Sequence, residues 1–208
     1  MKDNVKKELK YIDLFDEVTI NDYYSTDIHW KQENLQKVVD KLLSNMKNST
    51  TTEYNYNKLE GFYGNYYGQA ALPMDSESLI YCTNDVIDSA NVYMLNEETF
   101  EMEKADMYDI KAYSGIDPYD IFLSGPKPLI VIENTKTTTD RELLVFRDSF
   151  GSSLAPLLLE GYKKVTVVDL RYIGSPLLPQ LIEFKEGQDV LIINYVDVLN
   201  NSSILKVF

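Results

Sequence analysis

The sequence has very few residues that bind transition metals or form disulfides. Among its 208 residues there is one cysteine, Cys82, and one histidine, His29. A single cysteine cannot form an internal disulfide, and one cysteine with one histidine cannot make a Cys/His zinc site. We therefore expect no bound metal, and we expect no cofactor. If the chain uses a histidine of its own as acid or base, that residue must be His29.

Positive charge and long apolar runs are also scarce. The chain has 20 lysines and arginines against 33 acids, a net charge of −13. This balance argues against nucleic acid as a partner and against charge-driven binding to an anionic membrane. No stretch approaches the roughly 18 apolar residues of a membrane span, and the start lacks the apolar run of a signal peptide. We expect a soluble chain, with any targeting segment or membrane tether outside the given sequence.

The apolar content is sufficient for one packed domain. Hydrophobic residues make up 44% of the chain and aromatic residues 12%, and the length suits a single domain over 1–208. The first clear element is an amphipathic helix over 31–47. Its apolar residues recur at helical spacing and predict one buried face: Leu35, Val38, Val39, Leu42, Leu43 and Met46.

The last third of the chain predicts a parallel sheet. Its short apolar runs are continuous rather than alternating, which is typical of strands buried on both faces: 129–133, 143–146, 165–170 and 190–195. Helices are expected between the last three runs, at 152–160 and 177–185. Gly161 ends the first of these helices, and Pro156 should fall in its first turn. A β-α-β-α-β series favours parallel strands with right-handed crossovers.

The tyrosine- and glycine-rich segment 53–125 is harder to interpret. Residues 91–96 and 99–102 predict a β-hairpin. The tyrosines around 61–68 have two interpretations. They form either a half-buried surface with satisfied hydroxyls or the wall of a cleft that stacks on sugar or acyl groups.

The segment 143–153 contains a candidate nucleophile. A buried strand ends there, Ser149 follows, and a helix begins just beyond it. Ligands of open α/β sheets bind at the carboxyl ends of strands, and a serine in such a turn can attack an acyl carbon. Gly151 would permit a close backbone approach. The alternative is an ordinary turn in which a polar side chain of this segment, from Asp148, Ser149 or Ser152, caps the helix.

A nucleophilic serine needs a base, and the base needs an orienting acid. Asp27 and His29 lie two residues apart, so their side chains point the same way in an extended segment. Asp27 could hold His29 in one tautomer while the other ring nitrogen faces Ser149. The alternatives are a helix-capping or solvated Asp27 and a structural or surface His29. We expect Trp30 to pack in the core.

These motifs resemble a known family. Asp-Ser-Phe-Gly after an apolar strand resembles the nucleophile block of the SGNH (GDSL-like) hydrolases. An acid and a histidine that precede the serine resemble the alginate O-acetyltransferase branch. The chain is most similar to the DHHW family of Gram-positive bacteria, and the motifs that carry this similarity are Tyr24–Trp30, Gly61–Gly64, Phe122–Gly125, Leu143–Leu158 and Val168–Tyr172. Ile28 stands at the first histidine of the family name, and Arg147 stands where the wider superfamily usually has glycine.

The resemblance implies a fold, a chemistry and a location. The fold would be a three-layer, SGNH-hydrolase-like (flavodoxin-like) parallel sheet flanked by helices, with a tyrosine-rich insertion containing the hairpin. Ser149, His29 and Asp27 would be nucleophile, base and orienter of an O-acyl esterase or O-acetyltransferase. Its substrate would be an extracytoplasmic, cell-surface glycan or a small acyl ester. Further candidates for substrate or oxyanion binding are Arg147, Gly151, Asn65, Arg171 and Asn194. The alternative is a catalytically inactive glycan-binding or scaffold protein.

Overall fold

The computed structural model describes residues 9–50, 53–71 and 73–207. The α-helices are α1 (Gln36–Asn45), α2 (Asn65–Ala70), α3 (Asp85–Asp88), α4 (Phe150–Leu158), α5 (Leu178–Leu181) and α6 (Val196–Asn200). The strands are β1 (Asn55–Phe62), β2 (Glu77–Thr83), β3 (Asn91–Leu95), β4 (Met102–Ala105), β5 (Leu129–Glu133), β6 (Glu142–Arg147), β7 (Lys164–Val168) and β8 (Asp189–Ile193). No helix in the described ranges combines the length and apolarity needed to cross a membrane.

The central sheet is mixed, and its strand order is β4-β3-β5-β7-β6-β8. The strands β6, β7 and β8 are parallel and are linked through α4 and α5, as predicted. The prediction of a wholly parallel sheet is wrong, because β5 pairs antiparallel with β7. The link 134–141 between β5 and β6 is short and contains no helix, whereas a parallel crossover needs a dozen or more residues.

The predicted hairpin is present as β3 and β4. It is part of the central sheet rather than a separate insertion, because β3 also pairs antiparallel with β5. The strands β1 and β2 form a second, two-stranded sheet. An aromatic cluster that includes Tyr24, Phe62 and Tyr119 packs at this smaller sheet and contributes a separate part of the core.

The central sheet has a hydrophobic core on each face. Apolar residues of α1 and α4 pack on one face against inward-facing residues of β5, β6 and β7. Leu178 and Ile182 pack on the other face. The prediction that all four apolar runs are buried on both faces is wrong for β8. Val190 is 54% and Ile192 58% exposed, because β8 is an edge strand that the second core does not cover.

The helices differ from their predicted bounds for local reasons. The region predicted as one helix over 31–47 begins with a 3-10 turn at Gln32–Asn34 and becomes α-helical only at Gln36. Helix α4 begins two residues earlier than expected, so Pro156 lies beyond its first turn. The predicted helix 177–185 is α-helical only to Leu181, because Ile182 adopts an extended backbone and packs into the second core.

Candidate active site

Ser149 lies at the carboxyl edge of the three parallel strands. It follows the last residues of β6 and immediately precedes α4. Asp148 fixes this turn, because its Oδ1 accepts the Phe150 N–H at 3.0 Å and its Oδ2 accepts the Tyr195 N–H at 2.5 Å. The strand–turn–helix placement of Ser149 is therefore as the sequence indicated.

A closed loop over 23–30 carries the acid and the histidine. Its ends pair through a bridge between Tyr23 and Trp30, and the Tyr24 N–H donates to the His29 carbonyl at 3.1 Å. The Trp30 indole N–H donates to the Phe150 carbonyl at 3.1 Å and lies 2.9 Å from Ser153 Oγ. Trp30 is buried, as predicted, and it anchors the loop to α4.

Three side chains meet where this loop touches the turn. His29 Nε2 lies 2.7 Å from Ser149 Oγ, although the two residues are 120 positions apart in the chain. On the other side of the ring, His29 Nδ1 lies 2.5 Å from Asp27 Oδ1. The structure thus places Ser149, His29 and Asp27 in one hydrogen-bonded row, in the order that a serine nucleophile, a base and an orienting acid require.

The Asp27 carboxylate is buried, and protein N–H groups donate hydrogen bonds to both of its oxygens. The His29 backbone N–H donates to Oδ1 and the Asn65 N–H donates to Oδ2, each at 2.9 Å. Burial alone raises the pKa of Asp27, but the hydrogen bond and charge of His29 and these two N–H groups outweigh burial and lower it. An ionised Asp27 favours the tautomer with the proton on Nδ1, which leaves Nε2 free to accept from Ser149.

Sequence reasoning missed the residues that hold the row in place. The Tyr119 ring stacks on the His29 ring with centroids 3.9 Å apart. Gln32 joins distant elements, since its Nε2 donates to the Ser153 carbonyl at 2.6 Å and its Oε1 accepts the Cys82 N–H at 2.7 Å. These contacts cross long sequence separations, so no local pattern marks them. Gly64 packs against Asp27, and it is the residue of this group that a sequence motif could have revealed, because it lies in Gly-Phe-Tyr-Gly.

The two arginines near the site pair with the same buried carboxylate, Asp169. Arg147 is fully buried and its Nη1 lies 3.4 Å from Asp169 Oδ2, and its candidate role in substrate or oxyanion binding stays a prediction. A Cβ on Gly151 would lie 2.4 Å from the Cβ of Arg147, which explains why glycine is needed there. Arg171 also pairs with Asp169, through Nε at 2.9 Å and Nη2 at 2.7 Å. Asp169 therefore forms ion pairs with both guanidinium groups.

The two candidate asparagines belong to different elements, at the start of α2 and just after β8. Asn65 contributes its backbone N–H to Asp27, and its side-chain amide donates to Asp117 Oδ2 at 3.0 Å. Asn194 follows β8 and immediately precedes Tyr195, which binds Asp148. An oxyanion role for either residue stays a prediction. Among the described residues, no group of three or more histidine, cysteine, aspartate and glutamate side chains is arranged to hold a metal ion.

The fold and the site define a mixed α/β protein with a Ser–His–Asp row at the carboxyl edge of its parallel strands. The sequence matches the profile of the family described as "DHHW protein" over residues 1–168. The chain belongs to the DHHW family, as the sequence motifs predicted. No curated protein matches it significantly.

Solved structures support the fold at low sequence identity. A DHHW family protein from Eubacterium siraeum DSM 15702 is 19% identical with a TM-score of 0.65, covering 88% of this chain and 63% of that one. Bacillus cereus PatB1 with a sulfonyl adduct is 18% identical with a TM-score of 0.66, covering 86% and 62%. A further structure, described simply as that of Bacillus cereus PatB1, is 19% identical with a TM-score of 0.65, covering 96% of this chain and 67% of that one. The chain thus spans somewhat under two thirds of the first two structures.

Proposed function

We propose that this protein is a serine-dependent O-acyl esterase or O-acetyltransferase with an SGNH-type domain that acts outside the cytoplasm on a cell-surface or extracellular glycan. The observation that carries the proposal is the row from Ser149 Oγ through the His29 ring to the Asp27 carboxylate, with contacts of 2.7 and 2.5 Å. The glycan and the location are proposed from the resemblance to the DHHW family and to the related alginate O-acetyltransferase branch.

The geometry supports a two-step acyl transfer. His29 Nε2 accepts the proton of Ser149 Oγ as that oxygen attacks the acyl carbon of the donor ester. The imidazolium then gives this proton to the departing alkoxide, which leaves an acyl-serine. In the second step, His29 removes a proton from water or from a sugar hydroxyl, whose oxygen attacks the acyl-serine. The returning proton regenerates Ser149, and the product is an acid or a new sugar ester.

Asp27 supports both steps without taking up a proton. Against burial, the hydrogen bond and charge of His29 lower the pKa of Asp27, and two backbone N–H groups add to this effect and hold the carboxylate in place. The ionised carboxylate stabilises the imidazolium that forms in each step. Water competes with the sugar hydroxyl for the acyl-serine, so the ratio of hydrolysis to transfer depends on how well an acceptor fills the mouth of the site.

The test is covalent labelling with an activity measurement. We expect a fluorophosphonate probe to modify Ser149, as located by mass spectrometry of the digested protein. Ser149→Ala should lose the label and lower kcat on p-nitrophenyl acetate by roughly four orders of magnitude or more. The control is Ser202→Ala, an exposed serine in a 3-10 turn near the carboxyl end, which should behave like the parent. Equal turnover of Ser149→Ala and the parent would contradict the proposed role of Ser149 as nucleophile.

The second candidate is an inactive glycan-binding protein with the same fold. Exposed tyrosines favour this alternative, since a module that only binds sugar needs aromatic surface and no reactive serine: Tyr63, Tyr66 and Tyr67 are 37–42% exposed. Absence of fluorophosphonate labelling together with retained glycan binding would identify the binding module.

A further inference from the structure

The segment 63–67 exposes aromatic rings that no core requires. Tyr63, Tyr66 and Tyr67 are 40%, 42% and 37% exposed, and α2 has no buried residue. The rings of Tyr63 and Tyr67 lie together, with centroids 4.3 Å apart and planes inclined by 40°. Tyr119, by contrast, is 3% exposed and its hydroxyl donates to Ser153 Oγ at 2.7 Å. The exposed rings therefore form a surface rather than part of the packing.

This aromatic surface is fixed directly beside the Ser–His–Asp row. The Gly64 N–H donates to Thr26 Oγ1 at 3.0 Å, and the Tyr66 N–H donates to the Thr26 carbonyl at 2.9 Å. The Asn65 N–H donates to Asp27 itself. A Cβ on Gly64 would lie 2.2 Å from the Cβ of Asp27, so only glycine permits this approach. The backbone that carries Tyr66 thus touches the acid of the row.

Another aromatic residue stands beside the nucleophile. Tyr195 stacks on Phe150, the residue after Ser149, with centroids 5.1 Å apart and planes within 13°. Its backbone N–H is held by Asp148 in the same turn. Partial burial raises the pKa of the Tyr195 phenol, and the charges of Asp197 and Tyr66 add to this rise. Tyrosine-bearing segments therefore adjoin the row at Asp27, through residues 64–66, and at the turn of Ser149, through Tyr195.

Carboxylates outnumber cations beside Asn65 and His29, where Lys127 is the lysine that acts on Asp120. Asp117 accepts from the Asn65 amide at 3.0 Å, and the half-buried Asp120 lies close enough to His29 and Arg147 to feel their charges. Lys127 also faces Asp120. The guanidinium groups of Arg147 and Arg171 are both paired with Asp169. A polyanionic chain entering here would meet like charge.

We propose that Tyr66, Tyr67 and Tyr195 form an acceptor subsite that stacks on uncharged pyranose rings and disfavours uronate- or phosphate-bearing glycans. The inference rests on the proposed function, and it names the acceptor class of that site. The C–H face of a pyranose is apolar and packs on a tyrosine ring, while the sugar hydroxyls donate to the carboxylates of Asp117 and Asp120. A hydroxyl held there lies next to His29, the group that must take its proton.

The experiment measures binding by calorimetry on the Ser149→Ala protein, so turnover does not interfere. The probes are tri-N-acetylchitotriose, which is neutral, and trigalacturonate, which carries three carboxylates. We expect chitotriose to bind at least tenfold more tightly than trigalacturonate. In the same background, Tyr66→Ala and Tyr67→Ala should each weaken chitotriose binding by roughly tenfold, as loss of an aromatic anchor does.

Tyr56→Ala is the matched control. Tyr56 is 61% exposed, but it lies at the other end of β1 from the motif 61–64 and pairs with Cys82, so its loss should leave binding unchanged. Three results would each contradict the subsite. They are equal binding of the two trisaccharides, chitotriose binding that neither α2 substitution changes, and no chitotriose binding. The outcome is separable from the proposed chemistry. Fluorophosphonate labelling without chitotriose binding would contradict the subsite but not the serine chemistry. Chitotriose binding without labelling would contradict the serine chemistry but not the subsite.

Discussion

The phenol ring of Tyr119 lies flat on the imidazole of His29, with centroids 3.9 Å apart and planes within 7° of parallel. The Tyr119 hydroxyl donates to Ser153 Oγ at 2.7 Å, and the Trp30 indole N–H reaches the same oxygen at 2.9 Å. Ser153 belongs to α4, the helix that follows Ser149. The plane of the His29 ring is thus set by the same helix that follows Ser149 and fixes its position.

We predict that Tyr119 positions the His29 ring for proton transfer. Tyr119→Leu removes the flat contact and should lower kcat by about 10- to 100-fold with a smaller change in KM, since a misplacement of about 1 Å costs a factor of this size. Tyr119→Phe keeps the stacking and should lose less. Nitrogen NMR of the imidazole should show a changed tautomer balance in the leucine variant. Full activity and an unchanged imidazole signal in Tyr119→Leu would contradict the positioning role.

Asp27→Asn tests the orienting acid. The amide is nearly isosteric, but its oxygen cannot replace two carboxylate oxygens that together accept from His29 and Asn65. We expect kcat on p-nitrophenyl acetate to fall by about four orders of magnitude, because His29 adopts the wrong tautomer and the imidazolium loses its counter-charge. Stopped assays over pH 5 to 9, with thermal melting as the control for folding, make the comparison. A loss of less than tenfold would show that Asp27 is not part of the chemistry.

The sequence was most informative where the determinants are local. Asp27 and His29 could be paired because they lie two residues apart, and Ser149 could be placed because it follows an apolar run. The strands β5 to β8 were visible as apolar runs for the same reason. The direction of β5 was not visible, because it depends on which strand β5 pairs with after the chain returns.

The sequence was misleading where position along the chain differs from position in space. Arg147 is two residues before Ser149, yet its side chain lies beneath α4, packed against Gly151 and bound to Asp169. Tyr119 is 90 residues from His29 and stacks on its ring. Neither arrangement leaves a pattern in a single sequence, because each depends on how the sheet, α4 and the loop 23–30 pack together.

The buried pair of Arg147 and Asp169 yields a stability prediction. Both side chains are fully buried, and Asp169 also binds the partly exposed Arg171. Asp169→Asn leaves the Arg147 charge without a counter-ion and should lower the free energy of unfolding by about 3–5 kcal/mol. Arg171→Ala should cost less, because Asp169 keeps Arg147 as a partner and Arg171 is partly exposed. Urea unfolding monitored by circular dichroism measures both variants, and equal losses would refute the assignment of Asp169 as the counter-ion of Arg147.

The single cysteine gives the protein a predictable alkaline instability. Cys82 is 1% exposed, and burial, with a smaller contribution from Glu33, raises the pKa of its thiol from 9.0 to about 12. Above pH 9 the unfolded chain therefore binds fewer protons than the folded one, so the free energy of unfolding falls as pH rises. Between pH 8 and 10 the thiol should contribute a loss of about 1.4 kcal/mol.

Cys82→Ala checks this origin of the instability. Alanine removes the thiol, so the slope of the free energy of unfolding against pH should become flatter between pH 8 and 10, even though the variant is less stable at every pH. Tyrosines also titrate in this range, but they are the same in both proteins, so the difference between the two slopes isolates the thiol. Urea unfolding at intervals of half a pH unit gives both slopes, and an unchanged slope in Cys82→Ala would assign the alkaline instability to other groups.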